Sequence, residues 1–201
     1  MASIAGICNM ALSHIGVGKE IANLTTEQSQ EAAACRRFYD IAKDVVLRDF
    51  PWPFATKVDT LALIEEDPNV EWAFSYRYPT DCHLIRKVLS GTRNDTQDSV
   101  VPYKIAQDSS GLVLFCDVED AEIEYTVHTE DPQFYTPDFT MALSFLLAHY
   151  IAPRLTGGDP FKLGIRAVQM YDFEIRKARS NAINEERMER VPESEFIRGR
   201  E

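Results

Sequence analysis

The side chains that could do chemistry are few and scattered. The chain has four histidines and four cysteines. In the middle of the sequence Cys82-His83, Cys116 and His128 could gather around a metal ion. Zinc sites usually announce themselves by close ligand pairs at defined spacing, and an adjacent Cys-His is not such a pair, so no metal ligand and no cofactor are expected. Glu65-Glu66-Asp67 and Glu119-Asp120 offer the paired carboxylates a glycoside hydrolase needs. Both stretches read as polar turns, where nothing would bury a carboxyl and raise its pKa as a general acid requires. The sequence contains no GxxxxGK[ST] phosphate loop, no GxGxxG, no HExxH and no GxSxG,. His14 falls near a helix end, where positive charge is favoured. His149 lies in an apolar helix and reads as a hydrogen-bonded core residue. No catalytic residue is assigned, and the chain is not expected to be an enzyme.

The elements that would position these residues follow from periodicity. Ser3 reads as an N-cap, and Ile4, Ile7, Cys8, Ala11, Leu12 and Ile15 recur at helical spacing until Gly16 and Gly18,. Thr25 and Gln28 have the spacing of a capping box, predicting a second helix over 27–50. Its stripe is Ala32, Cys35, Tyr39, Ala42, Val46 and Phe50, and Pro51-Trp52-Pro53-Phe54 breaks it,. Tyr39, Trp52 and Phe54 are the expected core anchors.

From residue 56 to 130 the texture becomes β. Strands are expected over 58–63, 73–78, 84–89, 100–105, 112–117 and 123–127, with turns at Glu66-Asp67-Pro68-Asn69 and Ser109-Ser110-Gly111,. Ile123, Tyr125 and Val127 alternate with Glu122, Glu124 and Thr126, as in an antiparallel sheet with one wet face. Thr136-Pro137 then starts a third helix, apolar nearly all round,. Its Phe139, Leu143, Leu146, Leu147 and Tyr150 belong either to a core or to a subunit interface. Gly157-Gly158-Asp159-Pro160 leads to a last helix over 161–189. The expected fold is therefore α+β and mainly helical. A bundle of about four helices (1–55 and 131–189) carries an antiparallel β lobe (56–130) between helices two and three, and a C-terminal tail spans 190–201.

Composition bounds the function. The net charge is −11, and it is uneven: residues 1–161 carry 12 Lys/Arg against 24 Asp/Glu, residues 162–201 nine against eight. An acidic body argues against a tight nucleic-acid grip, which needs cations to displace phosphate counterions. It leaves room for DNA passing nearby without sticking. The apolar stretches are too short to span a bilayer, and Met-Ala-Ser-Ile has no secretory pattern. The expectation is a chain that starts in a cytoplasm, touches no membrane and keeps its cysteines as reduced structural thiols.

One run of residues is familiar. Cys8-Asn9-Met10-Ala11-Leu12-Ser13-His14-Ile15-Gly16 resembles the N-x-A-L-x-x-I/L-G opening of phage head-to-tail adaptors. The likeness continues through Glu31-Ala32-Ala33-Ala34-Cys35-Arg36-Arg37-Phe38-Tyr39-Asp40 and Val46-Leu47-Arg48-Asp49-Phe50-Pro51-Trp52-Pro53-Phe54-Ala55. It reaches Tyr76-Arg77-Tyr78-Pro79-Thr80-Asp81-Cys82 and the third helix. These stretches are similar to the tail tubular protein A, or packaged-DNA stabilisation adaptor, family of short-tailed phages. The resemblance implies a dodecameric ring of identical subunits under the portal of a virion, assembled in the host cytoplasm. Such a ring extends the DNA channel, retains packaged DNA and docks the next tail component, a nozzle or a tail tube or stopper. The tail of this chain does not match the family. Phe196 and Ile197 are its expected anchors on the portal protein, with Arg198 and Arg200 pairing acids there. Two other readings stand beside this one: a small virion-associated cell-wall hydrolase using a Glu/Asp pair, and an oligomeric interaction protein unrelated to virions.

Overall fold

Ser3 starts the first helix, its hydroxyl accepting the Gly6 amide at 3.0 Å. That helix, α1 (Ile4–His14), buries Ile7, Cys8, Ala11 and Leu12, the stripe its spacing dictates. The computed structural model describes residues 3–91, 100–159 and 161–185. Asn9 on α1 pairs with the backbone of Ile21 in both directions, Nδ2 to the carbonyl at 3.0 Å and Oδ1 from the amide at 2.8 Å. This side chain acts as a short strand partner and holds the connector on the helix.

The second helix, α2 (Gln30–Asp49), starts later than the capping-box spacing predicts. Asn23 Oδ1 accepts the amides of Thr25 and Thr26, forming an Asx turn that holds this stretch out of the helix. Ser29 is the true cap, accepting the Ala32 amide at 3.2 Å. Cys8 and Cys35 are both buried between these helices. The hydrogen bond with Cys35, with burial adding to it, pushes the Cys8 thiol up, so it stays protonated.

Seven strands follow: β1 (Thr56–Thr60), β2 (Leu63–Asn69), β3 (Trp72–Arg77), β4 (Cys82–Val88), β5 (Lys104–Asp108), β6 (Gly111–Cys116) and β7 (Glu122–Val127). They form two antiparallel sheets, of order β1-β7-β4 and β2-β3-β6-β5. The single strand expected over 58–63 is thus two pieces in different sheets. The expected turn at 66–69 is strand. Asp67 adopts φ +48° where the β2–β3 register shifts, a bulge on an edge strand that tolerates Pro68. The actual turn lies three residues on, where Asn69 Oδ1 accepts the amides of Glu71 and Trp72. The Ser109-Ser110 turn joins β5 and β6 as expected, with Asp108 opposite Gly111 and Gly111 at φ +134°. Between the sheets Tyr76, Ile85, Leu114, Cys116, Ile123 and Tyr125 form one core cluster.

The third helix, α3 (Pro137–Leu155), is capped by Thr136 with proline first, and it packs against α1, α2 and the last helix, α4 (Leu163–Glu185). Enclosure by three partners is why α3 is apolar all round. Gly164 lets α4 approach closely: a Cβ there would lie 3.3 Å from both Ala152 Cβ and the His149 carbonyl. Pro153 cannot donate to that carbonyl within the helix,. His149 Nδ1 meets the Gly164 carbonyl at 2.9 Å, which ties α3 to α4. Among the described residues, no helix is long and apolar enough to cross a membrane.

The chain passes from helix to sheet and back through one aromatic cluster. Trp52 and Phe54 leave α2, Tyr135 and Phe139 enter α3, and Phe139 touches the other three rings with centroids 5.2, 5.0 and 4.8 Å away. Phe139→Ala is expected to cost about 3–5 kcal/mol in urea-induced unfolding, whereas Phe134→Ala, at an exposed ring, should change it by under about 0.5 kcal/mol.

His14 also departs from its expected role. It stacks on Phe145 at 3.8 Å and meets Ser144 Oγ at 3.0 Å, so burial pulls its pKa below the ordinary value of 6.5, favouring the neutral ring despite the helix end. The unfolded chain therefore binds this proton more readily than the folded one. The resulting stability is present above about pH 6.5 and is lost as pH falls toward the folded value. The stability gap between the native chain and His14→Gln, measured by denaturant titration, should shrink as pH falls through that window.

Candidate functional site

The end of α2 is where the helices meet the β region. Pro51 stops the helix, and the carbonyls of its last turn have no partner within it. Trp52 Nε1, fully buried, donates to the Val46 carbonyl at 2.8 Å. From β4, Arg86 Nη2 donates to the carbonyls of Leu47 at 3.0 Å and Phe50 at 2.8 Å. Its Nε donates to Thr126 Oγ1 at 2.8 Å. Burial pulls the Arg86 pKa down while Asp49 nearby pulls the other way, and a guanidinium stays charged at neutral pH regardless. Thr126, expected on the wet face of the last strand, is fully buried because that face turns toward α2 at this point.

One turn earlier on α2 stands Asp44. His83 on β4 and His128 just past β7 face it, and one donor atom from each of the three residues lies within 4.8 Å of the others. The two imidazoles stack nearly parallel, with centroids 5.1 Å apart and planes 22° from one another. His83 Nε2 lies 3.2 Å from the Asp44 main-chain carbonyl, and His128 Nδ1 is 3.6 Å from Asp44 Oδ1. That oxygen is buried and has no hydrogen-bond partner. The grouping in the sequence is different. His83 and His128 do come together, but Cys116 lies in the intersheet core with Sγ 3.8 Å from the Val118 carbonyl. Burial pushes the thiols of Cys116 and Cys82 up. The third donor is Asp44, which no sequence spacing links to either histidine.

The paired carboxylates border only open clefts among the described residues. Glu65, Glu66, Asp67, Glu119 and Asp120 are all exposed. Glu65 borders a shallow cleft of about 210 Å³, and Glu119 and Asp120 border one of about 410 Å³ beside Glu122.

Phe139, Leu143, Leu146 and Leu147 are buried within the single chain, and Tyr150 is half-buried with its ring 6.0 Å from that of Phe38. These α3 residues lie in the core of the single chain. Tyr39 and Trp52 are buried and Phe54 is partly so. Exposed apolar side chains occur on the neighbouring helices, among them Ile41 and Val45 on α2 and Ile165 and Phe173 on α4, while α3 itself exposes Met141 and the strands expose others such as Val58 and Ile105. Sequence reasoning passed over Ile41 and Val45, although their separation of four residues beside the core stripe was the available signal. Phe196, Ile197, Arg198 and Arg200 lie outside the described residues.

Arg86→Met keeps the side-chain volume and removes three hydrogen bonds, two of them to carbonyls at the helix end. A loss of about 2–4 kcal/mol in urea unfolding is expected, and near-native stability would mean that water replaces the guanidinium. No family model matches the chain, and no curated protein matches it.

Proposed function

We propose that this chain is a structural head-to-tail connector of a tailed phage. Identical copies form a ring, twelve-fold as the resemblance implies, beneath the portal protein. There it extends the DNA channel, retains the packaged DNA and receives the next tail component, in a virion assembled in the host cytoplasm. In this reading the helices form a bundle that makes the ring body, and the β region projects from it as a lobe toward the tail.

The observation that carries the reading is where the exposed apolar side chains fall. A closed ring uses a head-to-tail contact, in which two different surfaces of each subunit meet. Ile41 and Val45 sit on α2, and Ile165 and Phe173 on α4, with Phe173 62% and Ile165 51% exposed. Two helices that both pack on α3 thus each carry exposed apolar side chains that such a contact could use. The acidic surplus of residues 1–161 fits a channel wall that repels the DNA backbone and lets it slide.

The test is particle imaging and gradient sedimentation of the purified chain mixed with a portal ring. Stoichiometric decoration of the portal vertex is expected. Ile41→Glu with Val45→Glu, or Phe173→Glu, should abolish it while leaving the melting temperature within a few degrees, because these side chains are exposed. A chain that never decorates the portal, or that turns over peptidoglycan as a monomer, overturns the reading.

A further inference from the structure

We propose that Asp44, His83 and His128 form a binding site for a divalent cation of the zinc class, stapling α2 to the β region. This inference does not rest on the connector reading.

The donor chemistry points to that class. Two imidazoles and one carboxylate suit borderline cations such as Zn²⁺, whereas calcium and magnesium prefer all-oxygen shells. The spacing is close to what an ion needs. Bonds of roughly 2.0–2.1 Å in a tetrahedron put neighbouring donors roughly 3.3–3.4 Å apart, and Asp44 Oδ1 and His128 Nδ1 are separated by 3.6 Å. Every donor pair is within 4.8 Å, so closure requires only side-chain movement. His128 is placed to supply it, since its side chain is 44% exposed and follows the end of β7.

The second observation is the orphan oxygen. Asp44 Oδ1 is buried with no hydrogen-bond partner, and buried polar atoms in folded proteins are nearly always satisfied. A cation held by the in-plane lone pairs at the edges of the two rings would satisfy it. Three protein donors leave one position of a tetrahedron open, and the exposed side of the cluster lets water fill it. The competing account is a simple ion pair, with a protonated His128 facing Asp44 and no metal. The two accounts differ in what His83 does, because only a metal needs a lone pair from both rings.

The consequence is mechanical. Asp44 belongs to α2, while His83 and His128 belong to β4 and the end of β7. An ion held by all three fixes the β region against the helix one turn before the Arg86 contact. A ligand that binds only the folded arrangement raises its stability with concentration.

The experiment uses the untagged full chain stripped with a chelator and titrated with ZnCl₂ by calorimetry at neutral pH. One saturable site with micromolar or tighter affinity is expected, together with a rise in melting temperature. Asp44→Asn, His83→Gln and His128→Gln should each weaken binding at least tenfold, whereas His14→Gln should not. Co²⁺ bound to the native chain should give visible d–d bands that His128→Gln abolishes. His128→Gln changes an exposed side chain, so its melting temperature without metal serves as the folding control. Absence of a saturable site, or unchanged Zn²⁺ affinity in His128→Gln or His83→Gln, would overturn the proposal in favour of the ion pair.

Discussion

The last turn of α2 is the constraint on which the rest of the molecule turns. A helix that ends at a proline leaves carbonyl oxygens without partners, and each left buried and unpaired costs about 1–3 kcal/mol. Here Trp52 and Arg86 answer the carbonyls of Val46, Leu47 and Phe50. One donor comes from the chain just past the break and the other from β4, so the helix end cannot be satisfied until the β region has folded against it. The same guanidinium holds Thr126 of β7. Arg86 thereby links α2, β4 and β7 through a single planar group, which is stiffer than a lysine in that place would be.

Around that point the aromatic cluster closes both chain crossings. The exit from α2 brings Trp52 and Phe54, and the return into α3 brings Tyr135 and Phe139. Burial pushes the Tyr135 phenol up to about 12, so it enters this cluster neutral, with its hydroxyl donating to the Thr129 carbonyl at 2.9 Å. α3 packs most of its apolar surface on α1, α2 and α4, and Met141 is its one large apolar side chain that stays exposed. The outer sides of α2 and α4 expose Ile41, Val45, Ile165 and Phe173, a different place from the one an all-apolar helix suggests.

Much of the frame is legible in the sequence because the signals are local. Ser3 and Thr136 cap where their types predict, and the stripes of α1 and α2 point inward as their spacing dictates. The failures share one physical origin. Residues 58–63 look like one strand because each residue favours extension. Only the competing pairings, β1 with β7 and β2 with β3, divide them between two sheets. Glu66-Asp67-Pro68-Asn69 has turn chemistry, yet β3 recruits it as a bulged edge. Thr126 alternates with glutamates and is nonetheless buried, because Arg86 and α2 lie over it. Of the cluster, His83 and His128 were legible as a possible pair, but Asp44 was not, for the same reason: it lies on a third element that only the tertiary fold brings to them.

That assembly has an electrostatic logic. Aligned peptide dipoles leave partial negative charge at a helix C-terminus, which favours cations there. The C-terminal half of α2 faces Arg86, His83 and His128, all from the β region, in a chain whose net charge is −11. The Arg86 guanidinium thus sits where the helix field is most negative,, and Asp44 adds negative charge one turn earlier in the helix. An acidic protein whose repulsion opposes compaction gains most from a contact that joins its helices and sheets through opposite charge. At this junction the backbone carbonyls and one carboxylate provide the negative side, and the strands provide the positive one.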